Sequence, residues 1–183
     1  MHRGSRARRR PQGLFLPCVL AILTFYGWHQ ADQFITAWRA AGFRLAGHLT
    51  FPKRYPSAER LLRYQHENAY LLAKGHPARP AQPIPDVLEW KYSGNKSHPT
   101  QKPLCVLTPL IQSFSRPGDL VLDPFCGSGS TLLTAQIEHR AFLGIELDPT
   151  YFEIRAAPPP PQGGLICKTP RDLLGAFTQH DKP

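Results

Sequence analysis

A chain of 183 residues has the size of one ordinary domain and is long enough to bury a core. Its hydrophobic share of 42% fits a globular protein, and the net charge of +9 favours a polyanionic partner, since each Lys or Arg that meets a phosphate releases a counterion. Cys18, Cys105, Cys126 and Cys167 form no Cys-x-x-Cys pair and no metal spacing, which argues against a disulfide framework or a zinc site and for free thiols in a cytoplasmic, reducing compartment.

Residues 1–17 read as a basic extension outside the core, because "RGSRARRR" has the composition of a solvated tail. The apolar stretch that follows, "LFLPCVLAILTFYGW", imitates a secretory leader. It is too short and too proline-interrupted to span a membrane, and no small-x-small cleavage site follows it. Val19–Phe25 is therefore expected to be a buried strand that begins a domain running over residues 18–156. In "HQADQFITAWRAAG" the residues Phe34, Ile35, Ala37, Trp38 and Ala41 recur at helical spacing, with Asp32 in the first turn and Gly42 as a stop. "FRLAGHLTFPK" and "HENAYLLAKG" are expected strands, ended by Pro52 and Gly75.

Residues 76–97 carry Pro77, Pro80, Pro83 and Pro85 without any period and read as a connector. A helix is expected from Lys102 to Phe114, with Leu104, Leu107, Leu110 and Ile111 along one face. After the turn "RPGD" comes "LVLDPF", a continuous apolar run of the kind buried in a parallel sheet. "GSTLLTAQIEHR" is the next helix and "AFLGIELD" the next strand. Residues 157–183 open with "APPPPQGG" and are expected to form a flexible tail outside the core. Strands alternating with helices make the fold class α/β, with an open sheet and crossover connections.

The chemistry concentrates in "LVLDPFCGSGST". A phosphate-cradling P-loop needs Gly-Lys-Ser/Thr at the helix start, and no lysine stands there. A dinucleotide loop needs a third glycine where Leu132 is found. Asp123 at the strand end would repel a pyrophosphate, yet it suits a ligand carrying an ammonium and a sulfonium. Glu146 closes the following strand, where a carboxylate can accept both hydroxyls of a ribose. S-adenosyl-L-methionine fits these acids and glycines better than NAD or ATP.

"LVLDPFCGSGSTLLTA", "AFLGIELDPTYFEIRA" and, upstream, "GNKSHPTQKPLCVLTPLI" resemble the DNA amino-methyltransferases that modify adenine N6 or cytosine N4, in the circularly ordered form with the cofactor motif near the C-terminus. The resemblance covers residues 19–156 and implies an S-adenosylmethionine-dependent enzyme with a Rossmann-like sheet that flips a base out of double-stranded DNA. By position it implies that Asp123, Phe125, Gly127, Gly129 and Ser130 form the donor loop. Glu146 would then hold the ribose, Asp148 would lie beside the adenine edge, and Thr100 and Lys102 would flank the methionine end. For Phe125 and Leu147, core packing and ligand contact are equally compatible with the sequence, and His66 and His98 have no partner spacing that would make them metal ligands.

The same family uses an Asp/Asn/Ser-Pro-Pro-aromatic loop that accepts hydrogen bonds from the target amine and stacks on the flipped base. No such loop stands ahead of residue 19. "DPTY" at 148–151 follows Glu146 as the exit of that strand, and "APPPPQ" lacks both the acid and the aromatic. The expectation is therefore a sheet that lacks the strands around the catalytic loop, in a chain shortened at its N-terminus. Two functions follow from different classes. One is a DNA methyltransferase by descent, active when a complementing chain or a second copy supplies the loop. The other is a non-catalytic remnant or subunit that binds S-adenosylmethionine, DNA or both. An NAD-dependent oxidoreductase conflicts with the loop chemistry. The choice of adenine or cytosine, of DNA or RNA, and of target sequence stays open. Lys91, Tyr92, Asn95 and Lys96 in the connector are candidate DNA contacts, with a solvated loop as the simpler reading.

Overall fold

The computed structural model describes residues 20–91 and 102–148, together with the backbone of residues 164–167. Its elements follow the expected order closely. Strand β1 is Leu20–Phe25, a short 3-10 turn covers Trp28–Gln30, and helix α1 is Ala31–Ala40. Strands β2 (Arg44–Pro52) and β5 (His66–Lys74) flank a small hairpin made of β3 (Ala58–Glu59) and β4 (Arg63–Tyr64). Helix α2 is Leu104–Phe114, β6 is Leu120–Asp123, α3 is Ser130–Ile137 and β7 is Ala141–Ile145.

These strands divide into two three-stranded sheets rather than one. The first has the order β1-β5-β2, with β5 antiparallel to both neighbours, so β1 and β2 run in the same direction, and β2 extends to Pro52 opposite His66, past Phe25 opposite Ala69. Residues 53–65 link β2 back to β5 without a crossover helix, which is why this pairing is antiparallel. The second sheet is parallel, β6-β7-β8, with α3 as the crossover between β6 and β7. Its last strand, β8 (Gly164–Cys167), pairs with β7 from within the stretch past residue 157 that was expected to form a tail. Four residues, "GLIC", supply too short a pattern to be told from a tail until β7 offers an edge to pair with.

The connector is also less free than its prolines suggest. The Thr50 N–H donates to the Asp86 carbonyl at 2.8 Å, and Leu88 N–H donates back to the Thr50 carbonyl at 3.0 Å. Residues 86–90 thereby cover the outer edge of β2 and bring Trp90 into the core at 6% exposure. That core holds Leu49, Phe51, Ala69, Trp90, Val106 and Leu110. A second core beneath the parallel sheet holds Ile111, Cys126, Leu132, Ala135 and Phe142. Helix α2 belongs to both, since Val106 and Leu110 face the first sheet while the next residue, Ile111, faces the second. Among the described residues no helix is long and apolar enough to cross a membrane.

Candidate cofactor site

The loop after β6 is built around its glycines. Gly127 and Gly129 take φ values of 47° and 67°, in the left-handed region where a side chain is strained, and Gly129 caps α3. The Asp123 carboxylate accepts the Phe125 N–H at 3.1 Å, closing a local turn directly at the strand end. The Cys126 N–H reaches across to the Ile145 carbonyl at 3.0 Å, fastening the loop to the end of β7. Ser128 and Ser130 are buried and their hydroxyls lie 3.1 Å apart, while the Ser130 carbonyl accepts from the Thr134 hydroxyl at 2.8 Å.

Glu146 organises the opposite wall. One carboxylate oxygen accepts the Gly127 N–H at 2.7 Å and the other accepts the Asp148 N–H at 2.8 Å. A carboxylate has about four acceptor positions, so each oxygen keeps one for a ligand hydroxyl. The side chain thus braces the glycine loop from β7, a role that sequence position alone did not show. Phe125 and Leu147 are 85% and 70% exposed, which removes core packing as their explanation and leaves both standing at the loop mouth.

Lys102 adds the third wall. Its ammonium lies 4.8 Å from the centre of the Phe25 ring and 5.6 Å from that of Trp90. Burial lowers its pKa from the ordinary lysine value; the Glu67 and Asp123 carboxylates oppose that shift and Lys53 adds to it. The end of β1 (Phe25) therefore packs against this ammonium, while Asp123 at the end of β6 acts on it only through its charge. Thr100 lies outside the described residues, as do His98, Tyr92, Asn95 and Lys96.

One feature of this edge was missed by sequence reasoning. Lys53, with its side chain 5% exposed, pairs with Glu67 and lies 5.2 Å from the centre of the Trp90 ring, whose indole N–H donates to the Tyr55 hydroxyl at 3.1 Å. The signal was present as "FPK" at the end of one strand and "HE" at the start of the next. Only the antiparallel register, with Phe51 opposite Glu67, brings lysine and glutamate together. Among the described residues no cluster of His, Cys, Asp and Glu could hold a metal ion.

Comparison with known proteins agrees with this construction. A family model for DNA methylases, of the N6/N4 type, matches residues 21–157. The chain is 55% identical over 126 residues to YubD of Escherichia coli (strain K12), a protein named for an inferred methylase activity; the match covers 69% of this chain and 56% of that one. It is 41% identical over 71 residues to the type II methyltransferase M2.MboI of Moraxella bovis, 26% of whose length is covered. The chain thus spans about half, or less, of the curated relatives it matches. Among solved structures it is similar to M1.HpyAVI in complex with SAM, at a TM-score of 0.63 and 26% identity over 73% of this chain and 71% of that one. It shares a fold with the cytosine-N4-specific PvuII DNA methyltransferase, at a TM-score of 0.62 and 16% identity over 88% of this chain and 69% of that one. These likenesses establish a Rossmann-like methyltransferase fold, here with an incomplete sheet, and with its family model aligned over most of its length the chain belongs to the N6/N4 DNA methylase family.

Proposed function

We propose that this chain binds S-adenosyl-L-methionine at the loop between β6 and α3 and serves the methylation of an exocyclic amino group in DNA. The observation that carries the reading is the pair of carboxylates at neighbouring strand ends, Asp123 and Glu146, on either side of a glycine loop that a Cβ would strain. Asp123 and Lys102 would face the charged methionine end, and the free acceptor positions of Glu146 would take the ribose hydroxyls. Phe125 and Leu147 would flank the adenine, with Asp148 at its edge and Ser130 at the helix start. Bound there, the donor supplies an electrophilic methyl group; the chain's residues orient it and shield it from water.

A specific observation favours participation as a subunit rather than independent catalysis. Among the described residues β1 pairs only with β5, and β6 only with β7, so the facing edges of the two sheets carry no partner strand. Leu120 and Leu122, which share one face of β6, are 55% and 53% exposed. No Asp-Pro-Pro-aromatic stretch occurs in the chain. A strand and loop from outside residues 1–183 would fill the gap and present the target base.

Isothermal titration calorimetry of the purified chain with S-adenosylmethionine tests the donor reading. Saturable heat is expected, weakened about tenfold or more in Asp123→Ala and in Glu146→Ala, because each loses hydrogen bonds to a charged group. Absence of heat at millimolar donor would sink it. Methylation of plasmid DNA by the isolated chain would in turn refute the need for a complementing segment.

A further inference from the structure

The hairpin between β2 and β5 has no part in the donor site, yet it is built in a way that the fold alone does not require. Its turn, Arg60-Leu61-Leu62-Arg63, exposes Leu61 to 99% and Leu62 to 68%, and the Arg60 N–H closes it on the Leu62 carbonyl at 3.1 Å. Two adjacent leucines at the tip of a structured hairpin gain nothing from packing within this chain, and exposed apolar tips of this kind mark interaction sites. Arginine stands on each side of them. At the tip Arg60 and Arg63 stand against the single carboxylate Glu59, which Arg63 Nε engages at 2.8 Å, while Lys53 and Arg54 behind them pair with Glu67 and Glu89.

The position of the hairpin is as informative as its composition. Because β1 and β2 run in the same direction, a hairpin that leaves the end of β2 rises from the edge where Lys102 meets Phe25 and feels Asp123. Its base is held to the segment after β1 by the Trp28 and Tyr64 rings, stacked at 6.4 Å and 17°. The Ser57 N–H and hydroxyl both donate to the Tyr64 carbonyl, at 2.8 and 3.0 Å, so the stem is fixed while the tip projects.

We infer that the β3–β4 hairpin is a DNA wedge: Leu61 and Leu62 insert between base pairs of duplex DNA while Arg60 and Arg63 hold the flanking phosphates. Apolar side chains that enter a base step unstack it and kink the duplex, and arginines beside them supply the attraction that offsets the unstacking. DNA suits this tip better than a protein partner, since leucine is under-represented at protein hot spots and an arginine adjoins the pair on each side, with Glu59 as the one opposing charge. The inference rests on the DNA reading proposed above and adds the element that would deform the substrate before a base leaves the stack.

The test uses the full chain and a short mixed-sequence duplex carrying 2-aminopurine at adenine positions. The wild-type chain brightens the probe on binding. Leu61→Ala/Leu62→Ala abolishes the brightening, with an unchanged melting temperature and unchanged calorimetric donor binding. Leu61→Lys/Leu62→Lys keeps or raises the affinity and still gives no brightening. Arg60→Ala/Arg63→Ala lowers the slope of log affinity against log salt by about 1.8, the share of two phosphate contacts. Equal brightening by the wild type and the alanine pair overturns the inference. So does a leucine effect confined to oligomeric state in light scattering, which would make the tip a protein-docking site, and so does failure of the wild type to bind duplex at all. A brightening signal without donor heat would leave the wedge standing and remove only the donor reading.

Discussion

Gly144 shows how far a single residue can control the donor loop. It sits in β7 opposite Asp123, and a Cβ placed on it would lie 2.5 Å from Leu132 Cδ1 and 3.0 Å from Cys126 Sγ. Both neighbours are buried, at 3% and 6% exposure, so neither can swing away. Gly144→Ala should cost about 1–3 kcal/mol in denaturant melts and weaken donor binding along with it, since Cys126 opens the glycine loop. Tyr26 offers a residue-scale reading of pH. Its hydroxyl meets His48 Nε2 at 2.9 Å and its ring stacks on Tyr70 at 4.6 Å. Burial first, then the neighbouring Tyr70, pushes its pKa up to about 12 from the ordinary 10.0. A raised phenol pKa means that the folded state holds its proton longer than the unfolded one. The contribution is complete below pH 10 and is lost as pH rises from there through about 12. An ultraviolet titration should show one late tyrosine, absent in Tyr26→Phe.

Helix α2 joins the two halves, and its sequence explains both its formation and its importance. Pro109 removes one backbone hydrogen bond, yet the helix continues to Phe114 because Val106, Leu107, Leu110 and Ile111 are all buried by it. Arg140 secures its far end, donating from Nε to the Ser115 hydroxyl at 3.0 Å and from a terminal nitrogen to the Ser115 carbonyl at 2.7 Å. Leu110→Ala should therefore cost about 2–5 kcal/mol in chemical denaturation and lower the melting of the whole unit, with donor binding lost in proportion to unfolding. The element boundaries of β1, α1, β2, β5, α2 and β7 were legible from period and punctuation, because each carries a regular apolar pattern and stops at Gly, Pro or a turn. β1 and α1 nevertheless contain no fully buried residue, and β1 is thus less buried than its apolar run suggested. Strand β8 and the segment at 86–90 were not, since a short edge piece is defined by the strand it pairs with rather than by its own pattern. The β3–β4 hairpin was equally silent, at two residues per strand.

For the whole molecule, sequence order and spatial order part company. The glycine loop, Glu146 and Lys102 were singled out as candidates because each stands in a short motif that is local in sequence. The grouping of the described strands into an antiparallel set and a parallel set, with an edge on each unpaired among the described residues, follows from long-range pairing that no local pattern encodes. The same holds for the cationic and aromatic edge. Lys53, Glu67, Trp90 and Lys102 lie far apart in the chain and converge only when β2 and β5 pair and α2 packs across both cores. The sequence by itself determined the glycine loop after β6, the α/β class and most elements, because those depend on neighbours within a few residues. Tertiary structure alone decided that Glu146 braces the glycine loop, that Lys53 pairs with Glu67 beside Trp90, and that the Arg-Leu-Leu-Arg tip projects from the end of β2, because each requires hydrogen bonds or packing between segments that meet only in the folded chain.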